Sequence, residues 1–419
     1  MRILFLTLGY PPRDMYGAAT YTRNMAHALA ARGHDVHVLD CNPWCTSRDE
    51  QDEDVTVHRR RTLRVRGFRH ILRWVSRASS NKVESWRRKW NDDRFRSENI
   101  VRRVLNAYQY YHAHRGLGTQ FDVVESPGLS IELFFGLLRP MPLVVNLHTP
   151  PGFERSLEGR LAGPGTRLAL ELDRSSAFRA NLLTSGSRLM VQTLRNSGWL
   201  DSREPWVVPL TMNMSGWSSL PSARDAGPVV LTVGRLDYRK GPELLVEAAA
   251  ELRHEIEELE VVFVGTTTEP NELRDRVVTL AARMEAPCRF EGQVTHEELL
   301  ARYASARVVA VPSRSESFSL AGLEAMAAGR PVVCTSQVGL AEWVDGTGAG
   351  TVVDSENPKA LAEGLRPYLE DPAFAAKAGE AAQDIVRTRL APDTIASARE
   401  AAYEEAIRRW SRQRKRVSR

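Results

Sequence analysis

One stretch of the chain, residues 308–334, constrains the fold more than any other. Residues 308–311 form a short apolar run typical of a buried strand, residues 320–328 are rich in Ala, Leu and Met and favour a helix, and residues 332–334 resemble the next strand. This order predicts a parallel sheet covered by helices. The loop that enters the helix would then lie at the carboxyl edge of the sheet, where doubly wound folds bind ligands.

Two glutamates flank the start of this predicted helix. Glu316 lies in the loop and Glu324 lies within the helix, eight residues further on. A helix N-terminus offers unpaired N–H groups and a positive dipole to an anion, so the arrangement predicts a seat for a diphosphate with two carboxylates beside it. The alternative is an ordinary amphipathic helix with solvated glutamates, and the rest of the chain decides between the two.

Length and composition predict a globular protein of two α/β domains. The chain has 419 residues, 42% of them apolar and 26% charged, which is too long for one typical core. Its four cysteines have no Cys-x-x-Cys spacing and are too few for a disulfide scaffold, which fits a protein of a reducing compartment. The first apolar run, residues 3–8, is too short for a signal peptide, and no run reaches the length of a membrane-spanning helix. We therefore expect a cytoplasmic protein whose membrane contact, if any, is peripheral.

Positive charge is concentrated in two segments. A basic insert at about residues 59–115 contains 17 Lys or Arg against 4 acids, and residues 408–419 contain 7 bases and no acid. In the insert, apolar residues at helical spacing alternate with arginines and tryptophans, which is typical of a helix lying on an anionic membrane. Contact with an anionic acceptor would use the same positive charge. Plain packing on the domain and nucleic-acid binding are the alternatives, and no nucleic-acid-binding motif supports the latter. The basic end of the chain is also compatible with a solvated arm.

Two positions in the first half are candidates for ligand contact. The pair Gly17-Ala18 follows the first predicted strand and would let the backbone approach a ligand closely, although the strand and helix there lack a dinucleotide-binding glycine motif. His148 follows the apolar strand at residues 143–147, where an imidazole could donate to a sugar hydroxyl or a phosphate and titrate near neutrality. A structural role for His148 is the alternative.

An acidic triplet, Asp52-Glu53-Asp54, has the Asp-x-Asp spacing of many metal-dependent sugar transferases. It lies in an acidic run before a short strand, and not after an apolar one. We therefore interpret it as solvated charge and predict no metal site.

The second half restarts after a linker at residues 209–228 that is rich in Ser, Met, Gly and Pro. The strand at residues 229–233 is followed by a glycine-flanked loop, residues 234–241, that carries Arg235 and Lys240. Two cations on one such loop can converge on a single anion, with Arg binding two oxygens and Lys acting as a point charge. A solvated basic turn is the alternative.

Three segments of the second half carry a family resemblance. They are GRLDYRKG at residues 234–241, FEGQVTHEELLARYASARVVAVPS at residues 290–313, and ESFSLAGLEAMAAGRPVV at residues 316–333. In these segments, and more weakly at Gly17 and His148, the chain resembles the retaining nucleotide-sugar glycosyltransferases of family 4. The resemblance covers everything except the insert.

The resemblance implies the GT-B fold, an α/β architecture of two doubly wound Rossmann-like domains that face each other across a cleft. The expected domains are an acceptor-side domain at residues 1–208 that includes the insert, and a donor-nucleotide domain at residues 209–395. Residues 396–419 would form a C-terminal helix and basic tail that return to the first domain.

The same resemblance implies roles for individual residues. Arg235 and Lys240 would bind the donor diphosphate, Glu324 the ribose hydroxyls and Glu316 a hydroxyl of the transferred sugar. Backbone groups of Phe318, Ser319 and Leu320 would contact phosphate or sugar. Those of Gly292 and Val294 would contact the base. His148, Gly17 and Ala18 would approach the donor from the opposite domain. No metal and no cofactor other than the nucleotide sugar is expected.

The chain departs from the family in two glycine-containing motifs. The usual Gly-Gly pair is Gly17-Ala18, and the usual Glu-Gly-Phe-Gly is Glu316-Ser317-Phe318-Ser319. The expected reaction is transfer of a sugar from a nucleoside diphosphate, with UDP as the expected carrier, to a cell-envelope lipid, a glycan or a specialised metabolite. The alternatives are a GT-B epimerase or sugar-phosphate synthase, and a non-catalytic sugar-nucleotide-binding protein at a membrane.

Overall fold

The computed structural model describes residues 1–12, 17–42, 45–62, 100–148, 164–266 and 272–417. The chain divides into two compact units. The first consists of Met1–Thr184, Glu204–Trp206 and Arg399–Arg419, and the second of Ser185–Arg203 and Val207–Ala398. Each is built on a mainly parallel sheet with helices, so the predicted α/β class with two Rossmann-like units is confirmed.

The first unit contains a sheet with eight strands within the described residues, in the order β3-β4-β2-β1-β5-β6-β7-β8. Its central strands β1, β5 and β6 pair in parallel and are buried along almost their whole length, as expected for strands covered on both faces. The strands are β1 (Arg2–Thr7), β2 (Asp35–Asn42), β3 (Arg48–Asp52), β4 (Val55–Arg61), β5 (Val123–Ser126), β6 (Leu143–Leu147), β7 (Leu182–Ser185) and β8 (Trp206–Val207). The helices are α1 (Gly17–Ala30), α2 (Ile100–Arg115), α3 (Leu133–Leu138) and α4 (Pro164–Ala177).

The second unit contains a parallel sheet with six strands within the described part of the chain, in the order β11-β10-β9-β12-β13-β14. The strands are β9 (Val229–Val233), β10 (Glu260–Val264), β11 (Cys288–Phe290), β12 (Val308–Val311), β13 (Val332–Thr335) and β14 (Gly350–Val353). The helices are α5 (Arg188–Asn196), α6 (Pro242–Leu252), α7 (Glu272–Arg283), α8 (His296–Ser305), α9 (Leu320–Ala327), α10 (Pro358–Glu370) and α11 (Pro372–Arg389). A last helix, α12 (Pro392–Val417), carries the basic end of the chain, and its residues from Arg399 onward belong to the first unit.

The stretch at residues 308–334 folds as predicted. Residues 308–311 are β12, residues 332–335 are β13, and α9 lies between them in sequence. The Ser319 hydroxyl accepts a hydrogen bond from the Gly322 N–H at 3.2 Å and so caps the start of α9. Glu316 therefore lies in the loop at the carboxyl edge of the sheet, and Glu324 lies in the helix.

The interpretation of Asp52 as a solvated charge is wrong. Strand β3 runs antiparallel to β4 and brings Asp52 against α1, where the Arg23 Nε donates to its carboxylate at 2.8 Å. His27 Nε2 lies 2.9 Å from the same carboxylate, and the Tyr10 hydroxyl donates to it at 2.9 Å. Burial by itself raises the pKa of Asp52, but these hydrogen bonds outweigh burial and hold the pKa well below its usual range.

Part of the predicted membrane segment lies outside the described residues, since these omit residues 63–99. Helix α2, the last part of the insert, is described, and it leaves Val101 and Tyr108 about half exposed. Within the described ranges, no helix is long and apolar enough to cross a membrane.

Candidate functional site

The carboxyl edge of the second sheet is formed by loops that contact one another directly. The Gly265 N–H donates to the Gly292 carbonyl oxygen at 2.9 Å, and the Gly234 N–H donates to the carbonyl oxygen of Val264 at 2.9 Å. Gly265 has φ of +138°, and a Cβ there would lie 1.9 Å from the Gly234 carbonyl oxygen, so only glycine allows this approach. A pocket opens at this edge, lined by Thr232, Val233, Gly234, Arg235, Leu236, Lys240, Pro242, Phe263, Val264, Ala310, Val311, Pro312 and Ser313.

The loop that carries Arg235 and Lys240 is held in a tight turn. The Asp237 side chain accepts a hydrogen bond from the Lys240 N–H at 3.0 Å and caps a single 3-10 turn, Tyr238–Lys240. Gly241 ends the turn with φ of +61°, and a Cβ there would lie 2.3 Å from the Pro312 carbonyl oxygen. The turn is therefore packed against the loop that leads to Glu316.

Gly241→Ala is expected to destabilise the protein by about 2 to 4 kcal/mol, because it adds a steric clash to an unfavourable left-handed backbone. Gly346→Ala is the matched control, since Gly346 has φ of +66° and a Cβ there would meet no atom within 4 Å. The control should lose only the backbone term, about 1 kcal/mol. Urea unfolding of both variants measures the difference, and equal losses would contradict the role of the close approach.

Lys240 and Glu316 form an ion pair at the carboxyl edge of the second sheet. The Lys240 Nζ lies 2.6 Å from Glu316 Oε1, and the Ser313 hydroxyl donates to Glu316 Oε2 at 3.0 Å. Burial by itself raises the pKa of Glu316, but the charges of Lys240 and Arg239 and the two hydrogen bonds lower it below its usual range. Glu316 is therefore ionised at neutral pH and is poorly suited to act as a general acid.

The loop from Glu316 to Ser319 is fixed by backbone hydrogen bonds to residues 337–340. The Glu316 N–H donates to the Gln337 carbonyl oxygen at 2.9 Å, and the Leu340 N–H donates to the Phe318 carbonyl oxygen at 2.8 Å. Ser319 has φ of +110°, a conformation that favours glycine, and this is the position at which the family pattern has glycine. The chain keeps the glycine-like backbone and adds a hydroxyl that caps α9.

Glu324 is a partly buried carboxylate with one strong partner. The Tyr303 hydroxyl donates to Glu324 Oε2 at 2.9 Å. Burial raises the pKa of Glu324 to about 7, although the hydrogen bond from Tyr303 and the charge of Lys240 act in the opposite direction. The charge of Lys240 thus acts on the pKa of both glutamates, and Lys240 contacts Glu316 directly.

Arg235, Gly292 and Val294 lie on the same carboxyl edge. The Arg235 side chain is 43% exposed, and its Nη2 lies 3.1 Å from Asp237 Oδ2. Gly292 faces open space, since a Cβ there would meet no atom within 4 Å. Val294 lies in the loop between β11 and α8 and is half-buried.

The remaining predicted residues lie in the first unit. His148 follows β6 directly, with its ring edge-on to Tyr21 at 5.1 Å between centroids. Burial, with a smaller effect of the Arg399 charge, lowers the pKa of His148 to about 4. The prediction that His148 titrates near neutrality is therefore wrong, and the imidazole is neutral at physiological pH. Gly17 and Ala18 begin α1, as expected.

Sequence reasoning missed Tyr303, Ser313 and Asp237. Asp237 precedes a short turn and could have been found by its capping position. Tyr303 and Glu324 lie on different helices, and no local pattern in the sequence indicates that they meet. Among the residues with described positions, no cluster of three His, Cys, Asp or Glu side chains could hold a metal ion.

The arrangement is suited to binding an anion that is bonded to a group with several hydroxyls. Arg235 and Lys240 line one pocket, and Lys240 pairs with Glu316 in the loop that enters α9. The first N–H groups of α9 have no carbonyl partners within the helix. Glu316 and Glu324 provide acceptors for hydroxyl groups next to it. This combination matches a phosphate group bonded to a polyol.

Comparisons with known proteins agree with this geometry. Residues 16–211 match the model of the glycosyl transferase 4-like domain, and residues 221–385 match that of glycosyl transferases group 1. The chain is 33% identical to a D-inositol 3-phosphate glycosyltransferase of Kineococcus radiotolerans, over 94% of this chain and 93% of that one. It is 27% identical to a glycogen synthase of Mycobacterium tuberculosis, over 97% of this chain and 95% of that one.

Solved structures share the fold. Sucrose-phosphate synthase from Thermosynechococcus elongatus superimposes with a TM-score of 0.70 at 22% identity, covering 96% of this chain and 98% of that one. The HepE protein of Anabaena, in complex with UDP and glucose, superimposes with a TM-score of 0.68 at 18% identity, covering 96% of this chain and 99% of that one. The relative at 33% identity, the two domain models and the site geometry lead to one conclusion: this chain is a glycosyltransferase of family 4 with the GT-B fold.

Proposed function

We propose that this glycosyltransferase moves a hexose from a nucleoside diphosphate to an acceptor with retention of configuration at the anomeric carbon. The observation that carries the proposal is the Lys240–Glu316 pair, with Nζ and Oε1 2.6 Å apart at the carboxyl edge of a parallel sheet. A cation held by a sugar-binding carboxylate fits the junction between a diphosphate and its sugar.

Each part of the donor has a proposed partner. Arg235 and Lys240 bind the diphosphate, together with backbone groups of Phe318, Ser319 and Leu320 at the start of α9. Glu324 accepts hydrogen bonds from the ribose hydroxyls, and Glu316 does so from a hydroxyl of the hexose. The backbone at Gly292 and Val294 contacts the base.

These groups would act mainly on the leaving diphosphate. Negative charge grows on the diphosphate as its bond to the sugar breaks, and each preorganised cation or donor aimed at that charge contributes about 2 to 4 kcal/mol to transition-state stabilisation. No step of this scheme requires a metal ion or a further cofactor. Since Glu316 is held by Lys240 and Ser313, we propose that it positions the sugar, and that the acceptor attacks from the face the diphosphate leaves, with a diphosphate oxygen taking the acceptor proton.

UDP is the proposed carrier, supported by the HepE protein of similar fold that holds UDP and glucose. The proposed acceptor is a cell-envelope lipid, a glycan or a specialised metabolite, and no nucleic acid takes part. A screen of UDP-, GDP- and ADP-sugars by thermal shift, followed by product analysis with a labelled donor, tests the proposal. We expect a UDP-sugar to stabilise the protein and the product to keep the anomeric configuration of the donor.

Other outcomes distinguish the alternatives. An epimerase would change the donor without any acceptor, and a sugar-phosphate synthase would require a sugar phosphate as acceptor. A non-catalytic protein would bind a nucleotide sugar without hydrolysis or transfer. An inverted product would refute the proposed stereochemistry while leaving the donor site intact.

We also propose that the protein contacts an anionic membrane surface through the basic insert at residues 59–115. On α2, Val101 and Tyr108 lie seven residues apart, on one face of the helix, and are 46% and 51% exposed. Apolar side chains on a helix of a strongly basic segment favour an anionic lipid interface.

Tyr108→Glu is therefore expected to weaken binding to vesicles that contain phosphatidylserine by about threefold to tenfold, because it places a negative charge at the interface. Co-sedimentation at low and high salt, with phosphatidylcholine vesicles for comparison, measures this. Phe374→Glu is the control, since Phe374 is 45% exposed on the second unit. Equal binding by the wild type and Tyr108→Glu would refute the membrane contact through α2.

A further inference from the structure

Arg314 joins two loops of the donor site through its side chain. Its guanidinium lies over the Tyr238 ring, 4.1 Å from the centroid, and its Nη1 donates to the Tyr238 carbonyl oxygen at 2.7 Å. The same Nη1 lies 2.7 Å from Glu243 Oε1, and the Nε donates to Glu356. The side chain is only 12% exposed. Arg314 thus contacts the start of the turn that carries Lys240 and the first turn of α6, which follows it.

A second connection runs in the opposite direction between the same loops. The Arg314 N–H donates to the Arg239 carbonyl oxygen at 2.8 Å, and the Arg239 Nη1 donates to the Ser315 carbonyl oxygen at 3.0 Å. The turn at residues 238–240 and the loop at residues 313–316 therefore hold each other at two points. Lys240 ends one segment and Glu316 ends the other.

Arg314 does not line the pocket at this edge, unlike Arg235 and Lys240. Its guanidinium is paired with two carboxylates, Glu243 and Glu356, which balance its positive charge. Arg235, by contrast, lies on the loop that lines the pocket, and its side chain is 43% exposed. An arginine with two carboxylate partners and an aromatic ring beneath it fixes geometry, since its planar group is held in one orientation.

We infer that Arg314 is a positioning residue for the donor diphosphate: it holds the turn that carries Lys240 in register with the loop that carries Glu316. We call these contacts between the turn at residues 238–240 and the loop at residues 313–316 the clamp. The inference rests on the proposed function, since it states that the clamp serves to bind the diphosphate. A lysine side chain is flexible, so the 2.6 Å Lys240–Glu316 pair depends on where the two backbones are held. Loss of Arg314 releases that constraint without removing any group that touches the donor.

The test compares UDP with uridine, which lacks both phosphates. Arg314→Met keeps the length of the aliphatic chain and removes the guanidinium, and Arg314→Lys keeps the charge and removes the planar group. Arg366→Met is the matched control, because Arg366 forms an exposed ion pair with Glu255 through Nε and Nη2 and does not line the pocket. Kd values for UDP are measured by calorimetry, and those for uridine by ligand-observed NMR.

We expect Arg314→Met to raise the Kd for UDP about tenfold and to leave that for uridine unchanged. The Kd of Arg314→Lys for UDP should lie between those of Arg314→Met and the wild type, and that of Arg366→Met should equal the wild-type value. A merely structural role would raise the Kd values for UDP and uridine by the same factor, so an equal loss of affinity for both ligands overturns the inference. An unchanged Kd for UDP in Arg314→Met overturns it as well.

A ligand-free measurement separates this inference from the proposed function. If the wild type bound no nucleoside diphosphate, the proposed function would fail, and amide hydrogen exchange of the free protein would still test the clamp. Faster exchange at residues 238–241 in Arg314→Met, but not in Arg366→Met, would support the positioning role. Unchanged exchange there would overturn it.

Discussion

Lys240→Met is expected to lower kcat/KM for glycosyl transfer by about 10²- to 10³-fold, the usual effect of removing one preorganised group that stabilises transition-state charge. Lys240 is the cation that the structure holds next to Glu316, with its Nζ 2.6 Å from Oε1. Methionine retains most of the aliphatic chain, so the loss reports charge more than packing. Steady-state kinetics with the donor found by the screen measures kcat and KM separately.

The outcome also depends on how Lys240 acts. If it stabilises the leaving diphosphate, kcat and kcat/KM should fall together, whereas a group that binds donor and transition state equally would raise KM alone. Lys359→Met is the control, since Lys359 is an exposed lysine at the start of α10 in the same unit. A transfer rate in Lys240→Met equal to that of the control would rule out the assigned role.

Glu316→Gln addresses the role of the partner carboxylate. If Glu316 positions the sugar, the variant should keep residual transfer with retention, reduced about 10- to 100-fold because a neutral amide accepts weaker hydrogen bonds than a carboxylate. If Glu316 were the nucleophile, the amide could not attack, and retaining transfer would stop. Residual activity with retained configuration therefore supports the positioning role, and its complete loss contradicts it.

The sequence was sufficient to predict where strands alternate with helices, because apolar periodicity and helix-forming composition are local signals. It also indicated that Arg235, Lys240, Glu316 and Glu324 belong to one site, since loops at the carboxyl ends of parallel strands meet at one edge. The ion pair between Lys240 and Glu316 follows from that placement.

Features that depend on non-local packing could not be predicted. The sequence patterns at residues 303 and 324 do not show that Tyr303 donates to Glu324, because that contact depends on how α8 packs against α9. The pKa of His148 depends on burial beside Tyr21, and the partners of Asp52 depend on an antiparallel edge strand with few apolar residues. For each of these residues, a neighbouring strand or helix could be predicted from the sequence, but the burial and the hydrogen-bond partners of the side chain could not.

Glu324→Gln is expected to stabilise the protein above about pH 7 and at the same time to weaken donor binding. Burial raises the pKa of Glu324 from 4.5 to about 7, so between these values the folded protein binds a proton that the unfolded chain does not. The stability contributed by Glu324 is therefore highest below pH 4.5 and falls as the pH rises to about 7, where the carboxylate must ionise in a buried position. Glutamine carries no charge at any of these pH values and avoids the loss.

The expected gain in the free energy of unfolding at pH 8 is about 2 kcal/mol, which allows for solvent screening of a partly exposed carboxylate. Well below pH 4.5 the gain should be close to zero, because Glu324 is then protonated in both the folded and the unfolded chain. Thermal unfolding of the wild type and the variant across this pH range measures the difference. A gain that does not change with pH would show that the pKa of Glu324 is not raised.

Donor binding should change in the opposite direction. In the proposed donor site, an ionised Glu324 accepts two charge-assisted hydrogen bonds from vicinal ribose hydroxyls, and its loss is expected to raise the Kd for UDP about 10- to 100-fold at pH 8. Tyr303→Phe is the paired variant: it removes the hydroxyl that donates to Glu324, so it raises the pKa of Glu324 further and should lower stability at pH 8. Glu324→Gln and Tyr303→Phe thus shift stability in opposite directions while both weaken UDP binding. Only a carboxylate that destabilises the free fold and serves to bind the donor predicts that combination.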